Sequence, residues 1–153
     1  MGEPKEQLKL HPIQLIHLGV KEIYIKSHIA PDISIEAEAD KCSLSVGGSK
    51  YIEEDKRIDV ALKLEFGRKN NNDDEDAPFS LLVEIVGIFK VNDEKFQTKH
   101  IMHWARNNAP LILLPYLREH VFSITSRCGF KPILLPLLEV PTFKVGATPT
   151  PQG

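Results

Sequence analysis

The chain has 153 residues, 42% of them apolar, with 19 basic and 21 acidic side chains. That length makes one domain with a real core, and the balanced charge, with no basic stripe, gives no electrostatic support to nucleic-acid binding. Two cysteines, Cys42 and Cys128, that form no CxxC motif point to a reduced, cytoplasmic setting.

The amino-terminal MGEPKEQLKL has no apolar run that could serve as a signal peptide. No stretch reaches the roughly 18 apolar residues of a membrane span, so no membrane insertion is expected. Ile16, Leu18 and Val20 share one parity and Ile23 and Ile25 the other, with Gly19 between them. Ile33, Ile35, Ala37 and Ala39 give way in the same manner to Cys42, Leu44 and Val46. A one-residue slip would turn every apolar side chain to water, so a bulge or bend is expected in both strands. Next, Ile58, Val60, Leu62, Leu64 and Phe66 alternate with Arg57, Asp59, Lys63 and Glu65, the period of a half-buried antiparallel strand. Asn70 to Pro78 is a polar acidic turn. The strand after it, Phe79 to Val91, puts Phe79, Leu81, Val83, Ile85, Phe89 and Val91 on one face and a mixed set, including Leu82 and Glu84, on the other. Four antiparallel strands in a meander are expected.

Helices follow. A short one is expected from about Phe96 to Arg106. Asn108 can cap a longer one with Pro110 in its first turn, where a missing N–H costs nothing, and Gly129 can end it in a left-handed conformation. Pro115 removes one hydrogen bond and should kink this helix near Leu111. Leu113, Leu117, Val121 and Ile124 make one apolar stripe, while Leu111, Leu114 and Phe122 lie off it. The first stripe is expected on the sheet and the second set in an oligomer interface; the alternative is one wide buried face. The fold class expected is α+β: an antiparallel sheet with helices on one face and a long, proline-kinked C-terminal helix. Residues 1–145 read as a single domain, and residues 146–153, polar and rich in Pro and Gly, as a disordered tail.

No constellation for chemistry emerges. His100 and His103 are spaced i, i+3, but a closed zinc site takes four ligands and nothing nearby completes it. Gly47, Gly48, Ser49 and Lys50 lack the earlier glycine of a phosphate loop and read as a hairpin tip. Ser123 and Ser126 have no nucleophile elbow. A pairing of Cys128 with His120 competes with packing of Cys128 in the core. Trp104 suits a core or an interface anchor equally. No catalytic, metal or cofactor-binding residue is assigned.

From Leu82 to Pro136 the chain resembles the SecB family of protein-export chaperones, through LVEIVGIFKV, APLILLPYLRE, ITSRCGF and KPILLP in that order, with a weaker match at KEIYIKS. The resemblance implies a four-stranded antiparallel sheet with helices on one side and a homotetramer built as a dimer of dimers. It implies no enzymatic activity, no cofactor, and the holding of unfolded or precursor polypeptides for the translocation ATPase SecA. Position by position it places Glu22, Leu82 and Glu84 in the SecA contact on the solvent face of the sheet. The chain departs from the family at Lys26, where a second acidic residue is usual. It departs again in the short, aromatic-free SHIAPDISIEAEA connection, and in LLEV with no C-terminal helix after it. Some SecB-like proteins instead hold the antitoxin of a toxin–antitoxin system, which is the alternative function. The rivals of another class are a small-molecule enzyme using His100, His103 or Cys128, and a purely structural oligomer.

Overall fold

The computed structural model describes residue 2, residues 7–38 and 41–138, and the backbone of residues 144 and 145. The strands are β1 (Ile13–Ser27), β2 (Ser43–Gly48), β3 (Arg57–Phe66), β4 (Arg68–Lys69), β5 (Asn72–Asp73), β6 (Phe79–Val91) and β7 (Lys144–Val145). A 3-10 turn, Thr98–His100, leads into α1 (Ile101–Asn107) and then α2 (Ala109–Arg127). The class is the expected α+β fold. The tail at 146–153 falls outside the described residues.

The strand order corrects the expected meander. In space the sheet runs β1-β6-β3-β2-β7, with β1, β6, β3 and β2 antiparallel to their neighbours and the two-residue β7 parallel to β2. β2, β3 and β6 are hairpin-connected neighbours, while β1 lies on the far side of β6; this is a Greek key. The reason lies in the connections and in β6. Residues 49–56 and 67–78 are short links that hold consecutive strands together, whereas residues 28–42 are long enough to cross the sheet. The core face of β6 is apolar at every position but Gly87, and Phe79, Leu81, Val83, Ile85 and Phe89 are fully buried there. A strand so buried needs a neighbour on each side.

The phase change in β1 is a bulge, as expected. The register with β6 shifts between Val20 and Glu22, which returns Leu18, Val20, Ile23 and Ile25 to one face, and shifts again between Leu15 and His17. The second expected phase change, between Ala39 and Cys42, falls partly outside the described residues, but the strand expected before it is absent. Residues 33–38 are outside the sheet: Asp32 Oδ1 accepts from Ser34 N at 2.9 Å and from the Ser34 hydroxyl at 2.6 Å. Ile35 N donates to Asp32 O at 3.1 Å. An aspartate that bonds the backbone two residues on starts a turn, and this one stops the alternating run from pairing as a strand.

α2 packs over β3 and β6. Its approach depends on Gly87, where a Cβ would lie 2.6 Å from Leu113 Cδ2. The helix bends by 33°, and Pro115 is the break in its ladder, since it cannot donate to the carbonyl of Leu111. Gly129, at φ +81°, ends it where a left-handed stop was expected. Asn108 precedes α2 as predicted but does not cap it: its φ −105°, ψ −44° are helical and its side chain makes no capping bond, because a cap needs an extended residue there. At the end of the sheet, where β3 begins and β6 ends, Lys56 donates to Asp93, and the Tyr51 hydroxyl donates to the same carboxylate at 3.3 Å. The Lys56 ammonium holds the Asp93 carboxyl below its ordinary range.

Candidate functional site

Three surfaces bear on function: the solvent face of the sheet, the outer side of α2, and the strip formed by the crossover and the segment after α2.

On the sheet, the structure brings Glu22, Leu82 and Glu84 together. Glu22 of β1 stands directly opposite Glu84 of β6, and Leu82 stands opposite Tyr24 on one side and Glu65 on the other. Facing like charges repel. The bulge relieves this by turning out the extra residue Lys21, whose Nζ lies 3.7 Å from Glu84 Oε1. Lys63 is the other cross-strand neighbour of Glu84 and pairs with Glu65 at 3.2 Å. Lys26 is exposed and stands opposite Ser80, four pairs along the strand from Glu22 and on the same face.

Leu82 is only 7% exposed although no helix covers this face. The β4–β5 hairpin reaches the two cross-strand neighbours of Leu82, Tyr24 and Glu65. Asn70 and Asn71, at φ 51° and 65°, make its two-residue turn, a conformation that asparagine tolerates. Arg68 Nη1 donates to Asp73 Oδ1 at 2.8 Å, and the Tyr24 hydroxyl donates to Asp73 Oδ2 at 2.5 Å. That bond raises the Tyr24 pKa above its usual value. The Arg68 guanidinium lies 5.4 Å above the Tyr24 ring and its Nε is 3.5 Å from Glu65 Oε2. Tyr24 and Glu65 flank Leu82, so Arg68 spans it.

On α2 the expected division is corrected at one position. Leu114 is 5% exposed and belongs to the subunit core with Leu113, Leu117 and Val121, so the buried face is wider than one stripe. The reason is that α2 lies over two strands, β3 and β6, and needs a wider apolar arc than a single-strand contact would. Leu111 at 38% and Phe122 at 45% stay exposed, together with Ile112 and Tyr116. Leu111, Ile112 and Tyr116 form one wall of a cleft of about 660 Å³, and Ile13, Gln14 and Leu15 of β1 form the other. The outer edge of β1 has no strand partner among the described residues.

The third surface was not visible in the sequence. Lys131 N donates to Ile35 O at 3.3 Å, and the Cβ position of Gly129 falls 2.6 Å from Pro31 Cβ. Residues 28–38 and 129–138 therefore run against each other. Ile35, Ala37, Ile133 and Leu135 turn inward, whereas Ile29, Ile33, Leu134 and Leu137 are exposed. Buried Thr125 fixes this segment: its hydroxyl donates to Val121 O at 2.8 Å and its oxygen accepts from Ile133 N at 3.0 Å.

The candidate chemical residues do not converge. His100 and His103 are exposed on the turn and on α1, and no group of three His, Cys, Asp or Glu among the described residues could hold a metal. Cys128 packs against the core and stands eight residues from His120, roughly 12 Å along the helix axis. Trp104 is buried, edge-on to Phe89 at 5.1 Å and stacked on His11 at 6.0 Å, which makes it a core anchor. Gly47 and Gly48 end β2, and Ser49 N donates to Asp59 O at 3.0 Å across the hairpin tip. No described helix is long and apolar enough to cross a membrane.

This architecture has counterparts. In the M. tuberculosis SecB-like chaperone solved with a ChAD peptide from an antitoxin, the fold superposes with a TM-score of 0.61 at 16% identity, covering 84% of this chain and 91% of that one. The protein-export protein SecB of Saccharophagus degradans is 32% identical over 129 residues, 77% of this chain and 71% of that protein. The protein-export protein SecB of Anaplasma phagocytophilum is 31% identical over 58 residues, a match that spans 37% of each chain. The family model described as preprotein translocase subunit SecB matches residues 6–141, and with it the order of strands and helices, the GIF strand and the proline-bearing helix come together: the chain belongs to the SecB family.

Proposed function

We propose that this chain is an ATP-independent holdase for non-native polypeptides, acting in the cytoplasm as a homotetramer and not as an enzyme. The observation that carries the reading is the pair of adjoining segments, 28–38 and 129–138, which expose Ile29, Ile33, Leu134 and Leu137 beside a buried set. An exposed apolar strip of this kind fits an extended client that lays its own apolar side chains along it. Leu111 and Phe122 of α2 and the open edge of β1 serve subunit association, and Leu114 serves the subunit core. Several strips on one tetramer act together through effective concentration, so long clients bind more tightly than short ones.

Membership of the SecB family supports a chaperone role, and the name of the Saccharophagus relative supports export as its setting. In that reading Glu22, Leu82 and Glu84 form the contact for SecA. A second reading has a specific observation in its favour: Leu82 is covered, Lys26 stands on the same face, and a SecB-like chaperone of the same fold was solved with an antitoxin peptide. In it the client is one antitoxin.

The test compares a reduced, unfolded protein with its folded form, and a long unfolded chain with a peptide cut from it. The holdase binds the unfolded form, at roughly micromolar affinity per segment, ignores the folded one and prefers the long chain. A dedicated antitoxin chaperone binds one peptide well and most others poorly. If no unfolded chain binds and aggregation is not slowed, the chaperone reading fails.

A further inference from the structure

We propose that residues 68–76 are a charge-held latch over one end of the sheet's solvent face, and that Leu82 is reachable from outside only when this latch swings away. The idea that a partner then uses Leu82 rests on the docking reading above; the latch itself rests on geometry.

Two observations set it apart from an ordinary hairpin. First, the buried residues beneath it are on the face that the helices leave open. Ser80 is fully buried there, and Leu82 nearly so. The Ser80 hydroxyl donates to Gly67 O at 2.6 Å and its oxygen accepts from His28 Nε2 at 2.8 Å. The turn into the hairpin is anchored at that point. Gly67 has φ +66°, and a Cβ on it would fall 2.1 Å from Phe79 O, so the chain can fold back onto the sheet only with glycine there.

Second, residues 68–76 read RKNNNDDED, with no apolar side chain among them. Nothing in this hairpin buries hydrocarbon of its own apart from the stem of Arg68. Its hold on the body is the set of charged contacts around Asp73 and Arg68: Tyr24 to Asp73, Arg68 to Asp73, and Arg68 to Glu65 and to the Tyr24 ring. These side chains are part-buried, Arg68 15% and Asp73 20% exposed, so salt screens them less than it screens exposed pairs, but removing one partner leaves the others without their hold. A cover of hydrocarbon would stay shut; one held by charge opens when the charges are screened or replaced. The hinge end, at Gly67 and Ser80, is more firmly held than the tip.

The test is thiol accessibility. In a Cys42→Ser, Cys128→Ser background, Leu82→Cys is labelled with a small disulfide reagent and compared with Glu22→Cys, an exposed position on the same face. The expected result is slow labelling at position 82. It speeds up about tenfold, the ratio carried by 1.4 kcal/mol, when Tyr24→Phe or Asp73→Asn is added, and by a smaller factor in about 1 M salt, because part-buried pairs are screened less than exposed ones. Circular dichroism and the thermal midpoint report whether the body stays folded. As a measurement on the natural chain, hydrogen exchange of the peptide covering residues 67–78 should rise with salt while β6 stays protected. The proposal is overturned if position 82 labels as fast as position 22, or if salt and both substitutions leave its rate unchanged. SecA plays no part in this assay. Salt-gated labelling without SecA binding would leave the latch standing and remove the docking reading alone.

Discussion

On the helix side of the sheet Leu113 sits over Gly87, and the alternate residues of β3 and β6 are sealed from water. On the opposite side Arg68 spans Tyr24 and Glu65 above Leu82, held by Asp73. Both arrangements bury a leucine at β6, Leu113 of α2 on one side and Leu82 of the strand itself on the other, but with different physics. The first removes a large apolar area from water, which salt does not undo. The second rests on a few part-buried charged groups and one phenol, which lose their hold when a single partner is removed. The difference teaches where the molecule can change shape: the helix face is the frame, and the other face is adjustable.

The hardest break of this contrast is a charge placed in the frame. Leu114→Glu buries an unpaired carboxylate in the subunit core. It should cost more than about 4 kcal/mol, so chemical denaturation should show no cooperative transition. Phe122→Glu, on the exposed side of the same helix, should leave circular dichroism unchanged and give smaller species in light scattering. Equal effects from the two would show that α2 is not divided in this way.

Gly87→Val probes the frame more gently. The added methyls crowd Leu113, Leu15 and Phe89, whose nearest atoms are 2.6, 3.1 and 3.1 Å from the Cβ position. Overpacking of this kind costs about 1–3 kcal/mol. A thermal midpoint at or above that of the natural chain would contradict the close approach.

Acid sharpens the contrast further. The folded Asp93 carboxyl titrates lower than an unfolded one because of Lys56, as Asp74 does because of Lys69 and the Asp76 backbone. Such groups contribute stability above the unfolded value of about 3.9 and lose it as pH falls through their lower folded values. Unfolding monitored from pH 5 downward should therefore show declining stability below about pH 4, and Asp93→Asn should flatten part of that decline. An identical acid limb in the variant would remove the ion pair from the account.

The smallest effect is expected at Glu84→Lys. Glu84 is half-buried beside Lys21 and Lys63 on the adjustable face, where a substitution changes stability by about 0.5 kcal/mol. If SecA docks there, calorimetry should show weaker binding that depends less on salt. Unchanged affinity would leave this face without that partner.

Alternation alone identified β3 and β6, because each puts a continuous apolar row on one side and charge or mixed residues on the other. Helical spacing, Pro110 and Gly129 bounded α2 for the same local reason, and Pro115 announced its bend. The acidic pair on the sheet came from the resemblance, and parity agreed with it by putting Glu84 on the outer face, to which the bulge returns Glu22. What a one-dimensional pattern does not carry is which elements become neighbours. β1 crosses to β6 because residues 28–42 are long enough to let it and because β6 needs a second partner. Leu114 is core because α2 lies over two strands, and Leu82 is buried where Tyr24 meets Arg68 and Asp73, which are distant from it in the chain. Residues 28–38 and 129–138 make one surface only after the fold brings their backbones together. Local periodicity sets the elements, through steric and solvent preferences that act within a few residues. The neighbours, and with them the surfaces that could hold another chain, follow from where buried area and backbone pairing are both satisfied, which only the assembled tertiary structure decides.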